Sequence, residues 1–162
     1  SGCGVQVRDY GHILADDTLY AEKAAKISSL SRDPSEVLAG EKAALLPLLA
    51  ARPERRGKLA FHSPCTLQHG LQIRGSIEVL LQSAGYDLTP VADSYLCCGS
   101  AGTYSVLQPE LAGMLRANKL AALNAGGPAL AATANIGCLT HLQAGSSLPV
   151  RHWIELIDEV LA

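Results

Sequence analysis

The sequence predicts an α/β fold: a small parallel four-stranded sheet, flanked by helices and preceded by a helical N-terminal segment. From residue 58 onward, short apolar runs alternate with helical patterns, which is the order of strands joined by crossover helices. Charge also divides the chain, because residues 1–57 carry eight Lys/Arg and eight Asp/Glu, whereas residues 58–162 carry five and seven. We therefore expect a helical segment over residues 1–57 and a cysteine-rich α/β domain over residues 58–162.

The N-terminal segment contains two helix signals and a linker. "ADDTLYAEKAAKISSL" (15–30) is rich in strong helix formers, with apolar residues near helical spacing. "DPSE" then supplies an N-cap at Asp33, a proline at the first helical position and Glu36 at the third, which predicts a second helix. We expect that helix to end or kink before Pro47. The polar stretch "ARPERRGK" (51–58) is typical of a linker.

Four short segments of the second part are predicted to be strands, and three helices are predicted between and after them. Pro90 has no backbone donor, so it places the second strand at a sheet edge or marks a break. The strands are "KLAFH" (58–62), "DLTPVA" (87–92), "ALAATAN" (129–135) and "PVRHW" (149–153). The helices are an apolar stripe over 73–84 closed by Gly85, a segment from Pro109 to "GGP" (126–128), and "WIELIDEVLA" (153–162).

Composition excludes several classes of protein. Apolar residues make up 48% and charged residues 17% of the 162, which indicates one globular domain rather than a disordered chain. The net charge of −2 gives no electrostatic footprint for nucleic acid. The longest apolar run, "AALLPLLAA", is far shorter than a membrane span. Because the chain opens on Ser1 rather than Met, we expect a piece of a longer protein. The five cysteines cannot all pair, which favours a reducing, cytoplasmic compartment.

Four of the cysteines follow predicted strands. Cys65 lies three residues after the first strand, the pair Cys97 and Cys98 follows the second, and Cys138 follows the third. Ligands of open parallel sheets bind beyond the carboxyl ends of the strands, so we expect these sulfurs to converge. Four thiolates suit an iron–sulfur cluster or a closed zinc site. Gly99 permits the sharp turn that the adjacent cysteines need, and backbone amides there are positioned to donate to sulfur.

Other interpretations of the same residues stay open at this stage. Any one of these cysteines is also explained as a small buried hydrophobe, and Cys97 and Cys98 as a strained vicinal disulfide. His141 completes "CLTH", a C-x-x-H spacing compatible with a ligand or with a donor beside the ligands, and His62 in "HSPC" is a weaker candidate of the same kind. His69 and His152 are more typical of structural histidines.

Cys3 stands apart from the other cysteines in sequence. "SGCG" echoes "NIGC", and a helix-like stretch follows at both places. The likeness predicts that residues 1–57 continue from an upstream copy of the same module, whose remaining cysteines precede this chain. An exposed thiol near the chain end is the alternative.

Four segments together carry a resemblance to a known family. "HSPCTLQHG", "LCCGSAGTYS", "TANIGCLTH" and "VRHWIEL", in that order, resemble the cysteine-rich CCG domain family, and especially the C-terminal module of glycolate oxidase iron–sulfur subunits. "SGCGVQVRDYGHILADD" resembles the end of the first CCG module of such subunits. By position, Cys65, Cys97, Cys98 and Cys138 match the family's cluster-binding cysteines. The family pattern ends in C-x-x-C, whereas this chain has His141 at the last position.

The resemblance implies a role in electron transfer. Such subunits carry two ferredoxin-like cluster motifs, absent here, followed by two CCG modules, and related CCG domains bind [4Fe–4S] clusters. They pass electrons from flavin-containing partner subunits, which oxidise glycolate to glyoxylate, towards a membrane quinone or another acceptor. It also implies a cytoplasmic subunit, peripheral to the inner face of the membrane through its complex. This fragment alone is not expected to oxidise glycolate.

Three alternatives to that role remain. A zinc-holding structural or docking module would use the same thiolates without redox chemistry. A thiol–disulfide enzyme acting through Cys97 and Cys98 would need an accessible thiolate of low pKa, and few cationic side chains lie beside the pair in sequence. The closest alternative is an iron–sulfur subunit of a related complex that oxidises lactate or glycerol phosphate.

Overall fold

A computed structural model describes residues 1–52 and 54–162, and it confirms the predicted α/β class. Four parallel strands form one sheet in the order β2–β1–β3–β4. The strands are β1 (Lys58–His62), β2 (Asp87–Thr89), β3 (Leu130–Thr133) and β4 (Val150–His152). Within the described residues, no helix has both the length and the apolar character that crossing a membrane requires.

Nine α-helices and one π-helical turn surround the described sheet. Four helices precede it: α1 (Gly2–Ile13), α2 (Ala21–Leu30), α3 (Pro34–Gly40) and α4 (Lys42–Ala50). Between and after the strands lie the π-helical turn (Thr66–Gly70), α5 (Ser76–Ser83), α6 (Tyr104–Leu107), α7 (Pro109–Asn124), α8 (Ile136–Gln143) and α9 (Trp153–Leu161).

The N-terminal helices begin as their capping residues predict, but they break elsewhere. Asp33 caps α3: its carboxylate accepts from the Ser35 amide, and the Glu36 carboxylate accepts from the Asp33 amide. The helix capped by Asp33 ends before Pro47, as expected, but it ends already at Gly40. Pro47 does not cause that end, because it lies inside the next helix, α4, which starts at Lys42. The predicted linker 51–58 is described on both sides of Pro53, which itself lies outside the described residues.

Each face of the sheet packs on its own layer of helices. On one face, Leu59, Phe61 and Ala132 contact apolar residues of α4, α5 and α9, including the buried Trp153. On the other face, Ala60 and Ala131 pack with residues of α7 and α8. Cys98 and Cys138 belong to this second layer. Burial of apolar side chains on both faces is what a parallel sheet requires.

Register aligns the carboxyl ends of three neighbouring strands. His62 at the end of β1 pairs with Thr133 at the end of β3, and Thr133 pairs with His152 at the end of β4. The short strand β2 lies at an edge, as Pro90 predicted, and ends at Thr89. The segments that follow these strands therefore begin at one edge of the sheet.

Candidate metal centre

The carboxyl edge of the sheet gathers the four predicted cysteines. Cys65 precedes the π-helical turn, Cys97 and Cys98 lie in the loop between β2 and α6, and Cys138 lies in the first turn of α8 rather than in a loop. All five cysteines of the chain are free thiols, so no vicinal disulfide joins Cys97 to Cys98.

Contacts between sulfurs connect the four residues in a row. Each sulfur lies close enough to the next to share a thiol proton and so to affect its ionisation: Cys65 with Cys97, Cys97 with Cys98, and Cys98 with Cys138. The ligand atoms of Cys98, Cys138 and His62 all lie within 4.8 Å of one another, and all three residues are buried. The predicted convergence of the cysteines is therefore present, and a histidine joins it.

The vicinal cysteines depend on the glycine that follows them. Gly99 has φ +93°, and its backbone amide donates to the Cys97 sulfur at 3.3 Å. A Cβ at this position would lie 2.5 Å from the carbonyl oxygen of Ala112 on α7. Both the left-handed backbone and the close approach to α7 therefore require glycine. The amide-to-sulfur bond is of the kind that the sequence predicted here.

The four sulfurs fall into two pairs whose pKa values are shifted in opposite directions. Hydrogen bonding to Cys97, with burial second, raises the pKa of Cys65, and bonding to Cys138 and Cys97, again with burial, raises that of Cys98. The bonds from Cys65 and then Cys98 lower the pKa of Cys97 to about 2. The bond from Cys98 lowers the pKa of Cys138 to about 5, with a further contribution from His62. Thiolates, the form that binds metals, are thus already favoured at two positions.

His62 is the most unusual polar group of the site. Its side chain is 1% exposed, and neither Nδ1 nor Nε2 has a hydrogen-bond partner among the described residues. A buried polar group left unpaired costs about 1–3 kcal/mol. The imidazole is placed next to the sulfurs of Cys98 and Cys138. From the sequence His62 was a weaker candidate than His141. Its position as the last residue of a buried strand could nevertheless have indicated that it lies at the site.

Lys119 supplies a buried positive charge that the sequence reasoning missed. Its side chain is 2% exposed, and Nζ donates to the carbonyl oxygen of Asp93 at 2.9 Å. Burial lowers the pKa of Lys119, and its electrostatic interaction with the nearby cysteines acts in the opposite direction. Its spacing in the sequence could have predicted this burial, because Lys119 lies four residues from each of the apolar Leu115 and Leu123 on α7 and so shares their helix face. Few cationic side chains are near Cys97 and Cys98 in the sequence, but the fold brings Lys119 close to them.

A cavity of about 600 Å³ opens onto the sulfurs. Cys3 lies on its wall, exposed, in the first turn of α1, as Cys138 lies in the first turn of α8. Gly2 approaches Asn135, the N-cap of α8, so closely that a Cβ would lie 2.7 Å from its Nδ2. The likeness between "SGCG" and "NIGC" thus extends to their positions at helix N-termini facing one cavity.

The other histidines have separate partners. A ring nitrogen of His141, Nε2, lies 3.3 Å from the carbonyl oxygen of Ala112, in the packing between α7 and α8. His152 caps α9, with Nδ1 accepting from the Ile154 amide, and Nε2 of His69 lies 3.2 Å from the carbonyl oxygen of Tyr95. The group within 4.8 Å contains His62 and not His141.

The donor set fits an iron–sulfur cluster or a tetrahedral metal ion. Four cysteine sulfurs in contact, two of them favoured as thiolates, match the ligands of both kinds of centre. The unpaired ring nitrogens of His62 and the adjoining cavity provide a polar group and space for such a centre. An organic cofactor would find few polar groups to orient it here, since the cavity is walled mainly by cysteines, glycines and small side chains.

Several curated proteins are similar to this chain over nearly its whole length. It is 50% identical to the glycolate oxidase iron-sulfur subunit of Escherichia coli (strain K12), across 99% of this chain and 38% of that protein. The probable glycolate oxidase iron-sulfur subunit of Bacillus subtilis (strain 168) is 30% identical across 89% of this chain and 32% of its own length. Lactate utilization protein A of Shouchella clausii is 24% identical across 96% of this chain and 66% of that protein.

The chain therefore spans only about a third to two fifths of the length of the two glycolate oxidase relatives. A family model, the CCG cysteine-rich domain, matches residues 59–143, which include β2, β3, all of β1 except its first residue and all four converging cysteines. The sequence segments that suggested this family thus coincide with the region of the match, and the chain belongs to the CCG cysteine-rich domain family.

Proposed function

We propose that this chain is the C-terminal part of the iron–sulfur electron-transfer subunit of a glycolate oxidase. The convergence of four cysteines at the carboxyl edge of the sheet supports it most directly: the sulfurs of Cys98 and Cys138 lie within 4.8 Å of each other, and Cys65, Cys97 and Cys138 line one cavity. The 50% identity to a glycolate oxidase iron-sulfur subunit supports glycolate as the substrate of the complex. An iron–sulfur subunit of a lactate-oxidising complex is the nearest alternative, and the identity to lactate utilization protein A is lower, at 24%.

In this proposal Cys65, Cys97, Cys98 and Cys138 bind the cluster. A cluster bound there would accept and release one electron at a time. The Gly99 amide holds one sulfur by a hydrogen bond, and the buried Lys119 ammonium offsets negative charge. The ligand role goes to the cysteines and not to His141, whose ring nitrogen lies beside a backbone carbonyl of α7.

The proposal extends to cofactor type, partners and location. Four cysteine ligands suit a [4Fe–4S] cluster. The glycolate chemistry would belong to flavin-containing partner subunits, and the electrons would pass on to a quinone or another acceptor. We place the subunit in the cytoplasm, at the inner face of the membrane through its complex.

Zinc is the second candidate for the same residues. The specific observation in its favour is that one nitrogen and two sulfurs, from His62, Cys98 and Cys138, lie within 4.8 Å of one another. With one further cysteine they would complete a Cys₃His site, which is a common structural zinc site. A zinc module would hold the fold together and carry no electrons.

Anaerobic reconstitution distinguishes the two candidates. The chain is incubated with iron and sulfide, and iron, zinc and acid-labile sulfide are measured beside an EPR spectrum before and after reduction. We expect about four irons with matching sulfide per chain and a paramagnetic signal that appears on reduction. One tightly bound zinc that iron does not replace would contradict the electron-transfer proposal.

Serine substitution at each cysteine tests the ligand assignment. Cys65→Ser, Cys97→Ser, Cys98→Ser and Cys138→Ser should each lower the iron retained against a chelator by about tenfold or more, since even residues behind the ligands cost that much when changed. Cys3→Ser is the matched control, because Cys3 lies exposed on the cavity wall. It should retain iron like the unchanged chain. Iron loss from the control equal to that of the four would refute the assignment.

A further inference from the structure

His62 ends β1 and places an imidazole beneath the candidate centre. Its side chain belongs to the face of the sheet that also carries Ala60, Cys98 and Cys138, because side chains alternate along a strand. At His62 the strand β1 pairs with Thr133 of β3, which holds the backbone at this position. The ring cannot turn to solvent without leaving the sheet face.

Two buried polar side chains, His62 and Thr133, lie next to each other at this point. Both ring nitrogens of His62 and the hydroxyl oxygen of Thr133, its register partner on β3, are buried without a hydrogen bond among the described residues. A neutral imidazole always carries one N–H, so at least one donor is unsatisfied here. The sulfurs of Cys98 and Cys138 lie within 4.8 Å of the ring and can act as acceptors.

Geometry places the His62 ring beside the cysteine sulfurs. A ring nitrogen of His62 and the sulfurs of Cys98 and Cys138 lie within 4.8 Å of one another, and the His62 backbone is held by its pairing with Thr133 on β3. Neither ring nitrogen makes a hydrogen bond within the described residues. Cysteine sulfurs bind metals as thiolates, and such sulfurs accept hydrogen bonds from neighbouring N–H groups. Of the two sulfurs, that of Cys138 is the one whose pKa the neighbouring His62 ring helps to lower, so it is the acceptor we assign.

We propose that His62 donates its ring N–H to the sulfur of Cys138 in the metal-loaded site and thereby raises the reduction potential of the centre. The inference rests on the proposed function. Reduction adds negative charge to the centre, and a donor to one of its sulfurs stabilises the reduced form more than the oxidised form. His62 is thus a positioning residue: the four cysteines remain the ligands.

Three variants of the reconstituted chain test the role of His62. His62→Leu removes the donor at similar size, and His62→Gln retains an N–H. Thr133→Val is the matched control, since it removes the neighbouring unpartnered hydroxyl from the same sheet face. We expect a more negative midpoint potential in His62→Leu, by about 59 mV for a tenfold change in the one-electron equilibrium. His62→Gln should recover most of that shift, and Thr133→Val should show none.

Specific outcomes would overturn the inference. One is a His62→Leu potential equal to that of Thr133→Val, and another is an equal shift in His62→Leu and His62→Gln. Labelling histidine with ¹⁵N and measuring its hyperfine coupling gives a third test, because a coupling of directly bound nitrogen would make His62 a ligand instead.

Failure of the proposed function would be recognised separately. If the unchanged chain binds zinc and no iron with sulfide, the electron-transfer role is lost, but the donor role of His62 is still measurable. Zinc affinity should then fall about tenfold in His62→Leu and stay near that of the unchanged chain in His62→Gln. Equal zinc affinity in all variants would refute the donor role.

Discussion

Gly99 shows how one residue fixes the position of two sulfurs. Its φ of +93° turns the chain after Cys98, and its amide returns to the Cys97 sulfur. The missing side chain also lets the loop approach the Ala112 carbonyl on α7. Three demands thus meet in one residue: a left-handed backbone, a donor to sulfur and close packing.

Comparing Gly99→Ala with Gly102→Ala separates those demands. Both glycines have positive φ, but a Cβ at Gly102 would have nothing within 4 Å, whereas at Gly99 it would lie 2.5 Å from a carbonyl oxygen. Gly102→Ala should cost about 1 kcal/mol of unfolding free energy from backbone strain alone. Gly99→Ala should cost about 2–5 kcal/mol, because steric overlap adds to the strain, and should also lower iron retention. Urea unfolding and iron content measure both effects, and equal costs would show that the approach to α7 is unimportant.

The residues of the site that were missed or judged weak candidates from the sequence are those whose partners lie far away along the chain. The cysteines were predictable because each follows a strand pattern. Lys119 was not, since its proximity to the cysteines arises from packing α7 against the sheet face. His62 and His141 each lie three residues from a cysteine, and the structure distinguishes them: His62 ends β1 beside the sulfurs, whereas His141 lies between α7 and α8.

Among the elements, α8 contributes most directly to the candidate centre. Its N-cap, Asn135, accepts from the Gly137 amide at 2.8 Å and donates through Nδ2 to Thr66 Oγ1 at 3.2 Å. The first bond caps the helix that holds Cys138, and the second connects it to the turn that follows Cys65. One side chain therefore links the elements at the two ends of the row of sulfurs.

Substitutions at Asn135 test this link. Asn135→Ala removes the cap and the contact with Thr66, and should lower the unfolding free energy of the metal-free chain by about 1 kcal/mol. Asn135→Asp retains a capping oxygen and should remain within a few tenths of a kcal/mol of the unchanged chain. Thermal or urea unfolding measures the difference. Equal destabilisation by Ala and Asp would mean that the Asn amide, and not the cap, provides the stability.

Elements were predictable where local chemistry dominates. The capping box at Asp33 and the strand over Lys58–His62 were correct to the residue. The helix capped by Asp33 does end before Pro47, but the proline is not the cause, because it lies inside α4, whose Leu45 and Leu49 are buried against the sheet layer. Burial of that apolar face outweighs the backbone bond lost at the proline. The helix-like stretch noted after "NIGC" is present as α8, but its bounds were not predicted, since eight residues give little periodic signal.

For the whole molecule, the parallel sheet is what makes four scattered cysteines neighbours. Residues 65, 97, 98 and 138 meet because every strand ends at the same edge and the crossovers pass over the two faces. The sequence predicted that arrangement from the alternation of elements alone. It could not predict which sulfurs keep protons, because that division depends on their mutual contacts and burial.

That division makes the stability of the metal-free chain depend on pH in a particular way. The pKa values of Cys97 and Cys138 are lowered from 9.0, so their contribution is present above pH 9 and is lost as pH falls towards about 5 and then about 2. The pKa values of Cys65 and Cys98 are raised from 9.0, so their contribution is present below pH 9 and is lost as pH rises towards the folded values.

Together these four groups predict a stability maximum near pH 9. Below it the unfolded chain binds more protons on these sulfurs than the folded chain, and above it fewer, so the unfolding free energy first rises and then falls with pH. Urea unfolding of the metal-free chain, under reductant and without oxygen, should show this maximum from pH 6 to 11. The same measurement is made on the variant with serine at all four positions. Subtracting its curve removes the contribution of every other titrating group. The difference in unfolding free energy between the two proteins should peak near pH 9, because only the four thiols contribute to it. A difference that is flat or rises steadily with pH would mean that these sulfurs ionise independently.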